Sequence, residues 1–231
     1  MANPLFFKSL AGIGGVSVAA GAAIGIPKLL EDKGQLISKL IETHNPNKRL
    51  ITSKSLDDSN WKKIWAAYRT ANKDVAKGKD IFRLPDWNGP ISGDISEEKA
   101  VQSLLNACSE KFHQKALPNS RLYQDVLKYC TRDALISDLI KESGRKPLSK
   151  SENNANSAEW RGAWASYVKV NAENTGDAWG INNYQSEKSK SGDSFEVSED
   201  FRNKCESKLA SNSIDDKTLL EQVKSWCTIQ Q

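Results

Sequence analysis

Apolar residues recur along this chain at helical spacing. Trp61, Ile64, Trp65 and Tyr68 lie at i, i+3, i+4 and i+7, which is one face of an α-helix. The "DDSN" before Trp61 supplies capping residues, and Asn72 is a plausible stop. A shorter amphipathic helix is written by "LISKLI", Leu36 to Ile41. Leu104 and Phe112 flank Cys108 at four residues either side, and Val126 precedes Cys130 by four, so both cysteines are expected on inward faces. Pro118-Asn119-Ser120 breaks the chain near the midpoint between them, with Ser120 placed to cap the second helix of the pair. The cysteine pair therefore brackets an αα-hairpin.

The same pattern is then spelled again. "WKKIWAAYRTAN", Trp61 to Asn72, returns 99 residues later as "WRGAWASYVKVN", Trp160 to Asn171, with "SAE" before it as the capping stretch. "LISKLI" returns at the same offset as "LISDLI", Leu135 to Ile140. Beyond the Trp helix the offset falls to 97: Cys108, Cys130 and Thr131 return as Cys205, Cys227 and Thr228. Phe201, Leu209 and Val223 keep the apolar positions around the later cysteines. Ser213 and Asp216 have the spacing of a cap and its acidic partner. Self-similarity at a fixed period marks a repeated folding unit. The expected division is 1–34, 35–133 and 134–231. The length change falls between Asn72 and Cys108, where Gly, Asp, Asn and Ser accumulate, so that stretch is expected to be loop. The aromatic stripe reads as core before ligand platform. Trp87 in "LPDWNGP" and Trp179 in "GDAWGIN" lie in the loop stretch. They are the candidate contact residues, with a lid over the core as the other reading.

Each cysteine pair is 22 residues apart. With each member about eleven residues from the turn, at about 1.5 Å per residue, both sulfurs reach one height on antiparallel helices. Two readings stand: buried free thiols, which behave as small apolar groups, or a disulfide Cys108–Cys130 and another Cys205–Cys227. Equal spacing within each unit favours the disulfides. Such a bridge adds about 3 kcal/mol in the chain-entropy model. A metal site is not expected, since His44 and His113 do not correspond between units and no close C-x-x-C occurs.

The N-terminal stretch carries no charge from Ser9 to Pro27. That length nearly matches the roughly 20 residues a bilayer-crossing helix needs. Three readings compete for it: a signal-anchor helix through residues 5–27, a signal peptide cleaved near Ala20-Gly21-Ala22, and a soluble tail. Small residues at Ala11, Gly15, Ala19 and Ala23 would suit self-association within a membrane. "GIGG" has no preceding strand and no acidic residue at nucleotide-binding distance, so a dinucleotide loop is rejected.

Composition adds less. The chain has 231 residues, a net charge of +4 with both signs mixed along it, and 38% hydrophobic residues, so cores are small and no basic stripe points to nucleic acid. Seven tryptophans are many for this length and belong in cores or interfaces. No nucleophile motif, phosphate loop or shared histidine appears, so no catalytic residue and no cofactor is expected.

With "MANPLFFKSLAGIGGVSVAAGAAIG", the "W...W..Y" helix and the "YCT" and "WCT" ends in view, the chain resembles the paralogous uncharacterised proteins of haemotropic mycoplasmas. The resemblance spans the chain as an overall pattern and carries no functional residues over. It implies a membrane-associated, surface-displayed protein, an antigen whose copies diversify. The expectation is an all-α protein: an N-terminal membrane helix, then two tandem homologous helical units, each with a cysteine-bridged hairpin. Its expected role is a non-catalytic surface interaction or antigen protein at the cell membrane, most of it extracellular, or secreted after cleavage. It would meet a host protein or antibody through loops near Gly78–Asp94 and Gly176–Asp193. The alternatives are a secreted or anchored enzyme acting on host material, favoured by a carboxylate-lined cleft in both units, and an intracellular scaffold, favoured by free thiols.

Overall fold

A computed structural model describes residues 34–172, 177–190, 192 and 194–229. The expected membrane helix, with Ala11, Gly15, Ala19 and Ala23, lies outside them. Among the described residues no helix is long and apolar enough to cross a membrane. The architecture is mostly helical. In chain order the first half contains β1 (Gln35–Leu36), α1 (Ile37–His44), β2 (Lys48–Leu50), α2 (Ser59–Ala71), α3 (Gln102–Phe112), β3 (Lys115–Ala116), α4 (Arg121–Tyr129) and β4 (Thr131–Asp133). The second half contains α5 (Ile136–Glu142), α6 (Ala158–Asn171), α7 (Tyr184–Glu187), α8 (Glu199–Leu209) and α9 (Lys217–Trp226).

The all-α expectation needs a correction. Two antiparallel ribbons occur, β1 with β3 and β2 with β4, the second pairing Lys48 with Asp133 and Leu50 with Thr131. These segments are too short for periodicity to reveal, and long-range pairing defines them. Among the described residues the second half shows one counterpart, a bridge between Pro147 and Thr228.

Local chemistry explains the helix starts. Asp58 Oδ1 accepts from Asn60 N at 2.8 Å and begins α2. Ser157 begins α6 and Ser120 begins α4, each hydroxyl accepting a backbone N–H at 3.3 Å. One cap differs from its sequence expectation. Ser213 and Asp216 close a turn, and Asp216 itself caps α9, accepting from Leu219 N at 2.9 Å. The helix therefore starts three residues later than the capping-box spacing suggests.

Gly34–Gln231 forms one compact unit. Within it the buried side chains gather in two clusters, one drawn from Ile37 to Cys130 and one from Ile136 to Cys227. All four cysteines are bridged, Cys108 to Cys130 and Cys205 to Cys227, with Cα–Cα distances of 5.5 and 5.4 Å. Each bridge ties a helix interior to the residue just past the next helix, where Cys130 and Cys227 end α4 and α9. Leu104, Phe201, Val126 and Val223 are fully buried beside them.

Long-range backbone bonds recur between the halves, most at the sequence offsets, although Ile51 and Leu148 differ by 97 and Ser53 and Asn153 by 100. Ile37 N donates to Gln114 O at 2.9 Å, and Ile136 N to Ser211 O at 2.8 Å. Ile51 N donates to Cys130 O at 3.1 Å, and Leu148 N to Cys227 O at 2.9 Å. Ala100 N reaches Leu56 O, and Val197 N reaches Ala155 O, both at 3.0 Å. The indoles of Trp61 and Trp160 donate to Ser53 O and Asn153 O at 2.9 and 3.2 Å.

Candidate functional site

Between Ala71 and Gln102 the chain carries no regular element. Ordered irregular stretches of this length are uncommon and are usually functional, so what fastens this loop decides which of its residues remain for contact. At the end of α2, Asn72 is 1% exposed. Its Nδ2 donates to Tyr68 O at 2.7 Å, and its Oδ1 accepts from Ile81 N at 2.9 Å. The Tyr68 hydroxyl donates to Asp80 Oδ2 at 2.6 Å and accepts from Phe82 N at 2.7 Å. Asp80 Oδ2 also accepts from Leu84 N at 2.9 Å. These bonds offset part of the cost of burying the carboxylate, whose Oδ1 is buried without a hydrogen-bond partner among the described residues.

The second half repeats this latch. Asn171 Nδ2 donates to Tyr167 O at 2.8 Å, and its Oδ1 accepts from Ala178 N at 2.9 Å. The Tyr167 hydroxyl donates to Asp177 and accepts from Trp179 N at 3.0 Å. Burial, then the facing aspartate, raises the pKa of Tyr68 and of Tyr167 well above the ordinary value of 10.0. Both hydroxyls are therefore fixed donors rather than bases at neutral pH.

The latch locates the length change. Asn72 and Asn171 differ by 99, while Asp80 and Asp177 differ by 97, so the two extra residues of the first half lie between Asn72 and Asp80. It also re-pairs the loop aromatics. Phe82, not Trp87, corresponds to Trp179, and Trp87 corresponds to Tyr184. The contacts agree: Trp87 lies edge-on to Trp65 at 6.5 Å, as Tyr184 does to Trp164 at 6.0 Å. Asp80 and Asp177 escape sequence reasoning because the offset slips immediately before them. Their signal is an aspartate two residues before an aromatic, in "DIF" and "DAW". One residue beyond those aromatics, Arg83 and Gly180 both take left-handed backbone, at φ +54° and +63°.

The candidate contacts Trp87 and Trp179 are 3% and 8% exposed. Their indoles donate inward, to Val75 O and to Gln222 Oε1, each at 2.9 Å. Both rings are covers over the aromatic core, and neither offers a free face to a partner. Two rings in a hydrogen-bonded loop gain more from burial against Tyr68 and Tyr167 than from water.

The halves differ on the outer side of the aromatic stack. In the first, the Arg69 guanidinium lies over Trp65 at 5.6 Å. Glu98 holds it at 2.8 Å and Ser96 O accepts from it, leaving the side chain 11% exposed. In the second, the counterparts of Arg69 and Glu98 are Val168 and Phe195. There an open cavity of about 530 Å³ lies against Trp164, Ala165, Val168 and Phe195, with Arg161, Lys169, Lys188 and Lys190 also lining it. No acidic side chain is among the described residues that line it. A wider groove of about 960 Å³ near the junction of the halves also carries cations, three of which are paired with acids in or beside it. Arg121 bonds Asp125 at 2.8 Å, Lys48 bonds Asp133 at 2.7 Å, and Arg132 bonds Asp138 at 2.6 Å.

Among the described residues no group of His, Cys, Asp and Glu side chains is arranged to hold a metal ion. Comparison with known proteins supplies no relative: no family model, curated protein or solved structure matches the chain.

Proposed function

We propose that this chain is an exported, membrane-anchored interaction protein built from two tandem copies of one disulfide-bridged helical unit, and that it meets its partners through the loop side of those units. The duplication answers why one helix is spelled twice: a whole folding unit recurs. Matching latches, matching long-range backbone bonds and two separate apolar clusters support that reading. The observation that carries the compartment is the bridging of every cysteine within its own half. Disulfides persist in oxidising surroundings and are rare where thiols are kept reduced, which favours export over an intracellular scaffold. Export in turn agrees with an apolar N-terminus acting as a signal-anchor. The resemblance to surface proteins of haemotropic mycoplasmas points the same way, with host proteins or antibodies as the partners.

The loop side is the contact surface because its framework is anchored while its outer residues are not shared between halves. The titratable groups that fasten the loops, Tyr68 with Asp80 and Tyr167 with Asp177, are bonded to each other, which favours binding over catalysis. Protease treatment of intact cells tests display: cleavage within the loops is expected at exposures that leave cytoplasmic markers whole. A chain that stays intact while known external proteins are cut would end this reading. Non-reducing peptide mapping with the N-terminus read then distinguishes an anchored chain from a cleaved one.

A further inference from the structure

We infer that the Asn88-Gly89 pair in the loop of the first half is a self-modifying site, where the asparagine loses its side-chain nitrogen as ammonia and becomes aspartate or isoaspartate. Water is the only co-reactant. The chemistry needs no partner, but its meaning for binding rests on reading the loop side as the contact surface.

Asparagine is a chemically labile residue. The backbone nitrogen of the next residue can close on its side-chain carbon when that N–H is not otherwise bonded and no side chain stands in the way. The sequence holds one Asn-Gly pair, at Asn88, and three Asn-Ser pairs, at Asn119, Asn156 and Asn212. All four asparagines are exposed. At the three Asn-Ser pairs the following amide is occupied. Ser120 N donates to Leu117 O at 3.0 Å, Ser157 N to Asn154 O at 2.9 Å, and Ser213 N to Ser211 Oγ at 3.1 Å. The Gly89 N–H meets no acceptor among the described residues. Gly89 is buried beside the exposed Asn88, so its nitrogen is reached most readily by that neighbour's carboxamide. Its φ of +109° favours glycine. An added Cβ would stand 3.5 Å from Lys77 N, an ordinary contact. Backbone conformation rather than crowding therefore keeps this residue bare, and the bare residue leaves its nitrogen unshielded.

The step balances within the chain and one water. Gly89 N bonds to Asn88 Cγ as the Cγ–Nδ2 bond breaks, and ammonia leaves with the Gly89 amide proton. Water then opens the cyclic imide. Attack at Cγ gives aspartate. Attack at the main-chain carbonyl gives isoaspartate, whose main chain runs through the side-chain carbon. Nothing is oxidised or reduced. The loop is fastened on both sides of the site. Trp87 N donates to Leu84 O at 3.0 Å and its indole to Val75 O at 2.9 Å, while Ile91 N donates to Lys73 O at 2.8 Å. The change is therefore local to residues 88–90. It places a new carboxylate two residues from the exposed Asp86 and lowers the net charge from +4 by one. In the second half the offset of 97 puts Gln185 and Ser186 here, inside α7, where Ser186 N donates to Asn183 O at 3.0 Å. The reaction thus alters the contact loop of one half and leaves the other as translated.

The test ages full-length protein in neutral and in mildly acidic buffer and maps its peptides by mass, with isoaspartate scored by enzymatic methylation. Expected is conversion at Asn88 about tenfold or more faster than at Asn119, Asn156 or Asn212. It should quicken with pH, because the deprotonated amide is the nucleophile. Aged native protein should gain a more acidic form on ion exchange. Asn88→Gln protein should not, since its longer side chain closes a ring far more slowly. Melting should be unchanged by ageing, and peptide-resolved amide exchange should change only around residues 88–90. Equal rates at all four asparagines, an acidic form that persists in Asn88→Gln, or conversion in urea-unfolded but not in folded chain would each overturn the inference. Should Asn88→Gln melt earlier, the site-by-site rates of native protein, folded against unfolded, decide the matter alone. An unconverted Asn88 alongside successful protease shaving would remove the modification and leave the display reading intact.

Discussion

The aromatic cores of the two halves solve one packing problem with different residues. In the first, Tyr68 is surrounded by Phe82, Trp87 and Tyr129. In the second, the corresponding neighbours of Tyr167 are Trp179, Tyr184 and Trp226. Where the first half has its tryptophan, the second has a tyrosine, and the two smaller rings of the first become tryptophans. Phe82 and Tyr129 meet at 6.1 Å, Trp179 and Trp226 at 4.9 Å. The polar latch does not drift in this way: tyrosine, aspartate and asparagine are identical in both halves. Cores accept exchanges of volume between neighbours, whereas removing one partner of a buried polar network leaves another group unsatisfied at full cost. Outside both layers, at Arg69 and Val168, even polarity changes. Constraint therefore falls from the latch to the rings to the outer face, and the function is best sought where constraint is least.

Cutting a disulfide puts the heaviest load on this comparison. Replacing both cysteines of one pair by serine should cost about 3 kcal/mol. If the two apolar clusters are separate folding units, the loss is confined to the half that carries it. Amide exchange resolved by peptide would then show faster opening in residues 35–133 for the Cys108–Cys130 variant, with the second half unchanged. Equal loosening of both halves would show that one cooperative unit spans them. The latch comes next. Tyr68→Phe should cost about 2 kcal/mol, because Asp80 stays buried and loses a donor, and Tyr167→Phe about 1 kcal/mol, because Asp177 is only half-buried, both measurable in urea titrations. The same tyrosines predict alkaline sensitivity. Their folded pKa lies above the unfolded value of 10.0, so the folded chain holds more protons above that pH. Stability is then complete below about pH 10 and falls as the pH rises beyond it. Each Phe variant should flatten its share of that fall.

Exchanging ring volume within the first half has a smaller effect. Phe82→Trp overfills its site, and Trp87→Tyr leaves a gap, each costing about 1–2 kcal/mol. Their combination copies the second half's arrangement and should recover about 1 kcal/mol as a coupling energy in a double-mutant cycle. Strict additivity would mean that the two rings do not share one space.

Much of this architecture is legible in the residues alone. The Trp helices, the hairpins and the cysteine pairs follow from apolar residues at four-residue spacing and from equal cysteine separations, because helix periodicity and covalent reach are local rules. The hidden part is long-range. Trp87 and Trp179 look equivalent because both stand in glycine-rich loops, yet the slip in offset before Asp80 makes Phe82 the true counterpart of Trp179. The short strands are defined by partners far along the chain, as in Lys48 with Asp133. The cavity lined by Val168 and Phe195 is not legible at all, since its walls come from α6 and from residues past α7 that only the fold brings together.

The smallest effects are expected at the link between the halves, where the ribbon of β2 and β4 leads into α5. Asp138 accepts both Arg132 nitrogens, at 2.6 and 2.9 Å, and the Leu135 N–H at 2.8 Å. Burial alone would raise its pKa, but these bonds and the Arg132 charge outweigh it and hold the carboxyl below its ordinary 3.8. Its contribution is present above that pH and is lost as the pH falls through the lowered value. Glu142 pairs with Arg49 at 2.6 Å with its own side chain 52% exposed, so water and salt screen it far more. Asp138→Asn should therefore cost about 1 kcal/mol and Glu142→Gln about 0.5 kcal/mol or less. Only the second loss should vanish in 1 M salt, where the screening length is about 3 Å. If both vanish, the Asp138 carboxylate is as well solvated as Glu142, and the link is held by the backbone bonds of its ribbon rather than by charge.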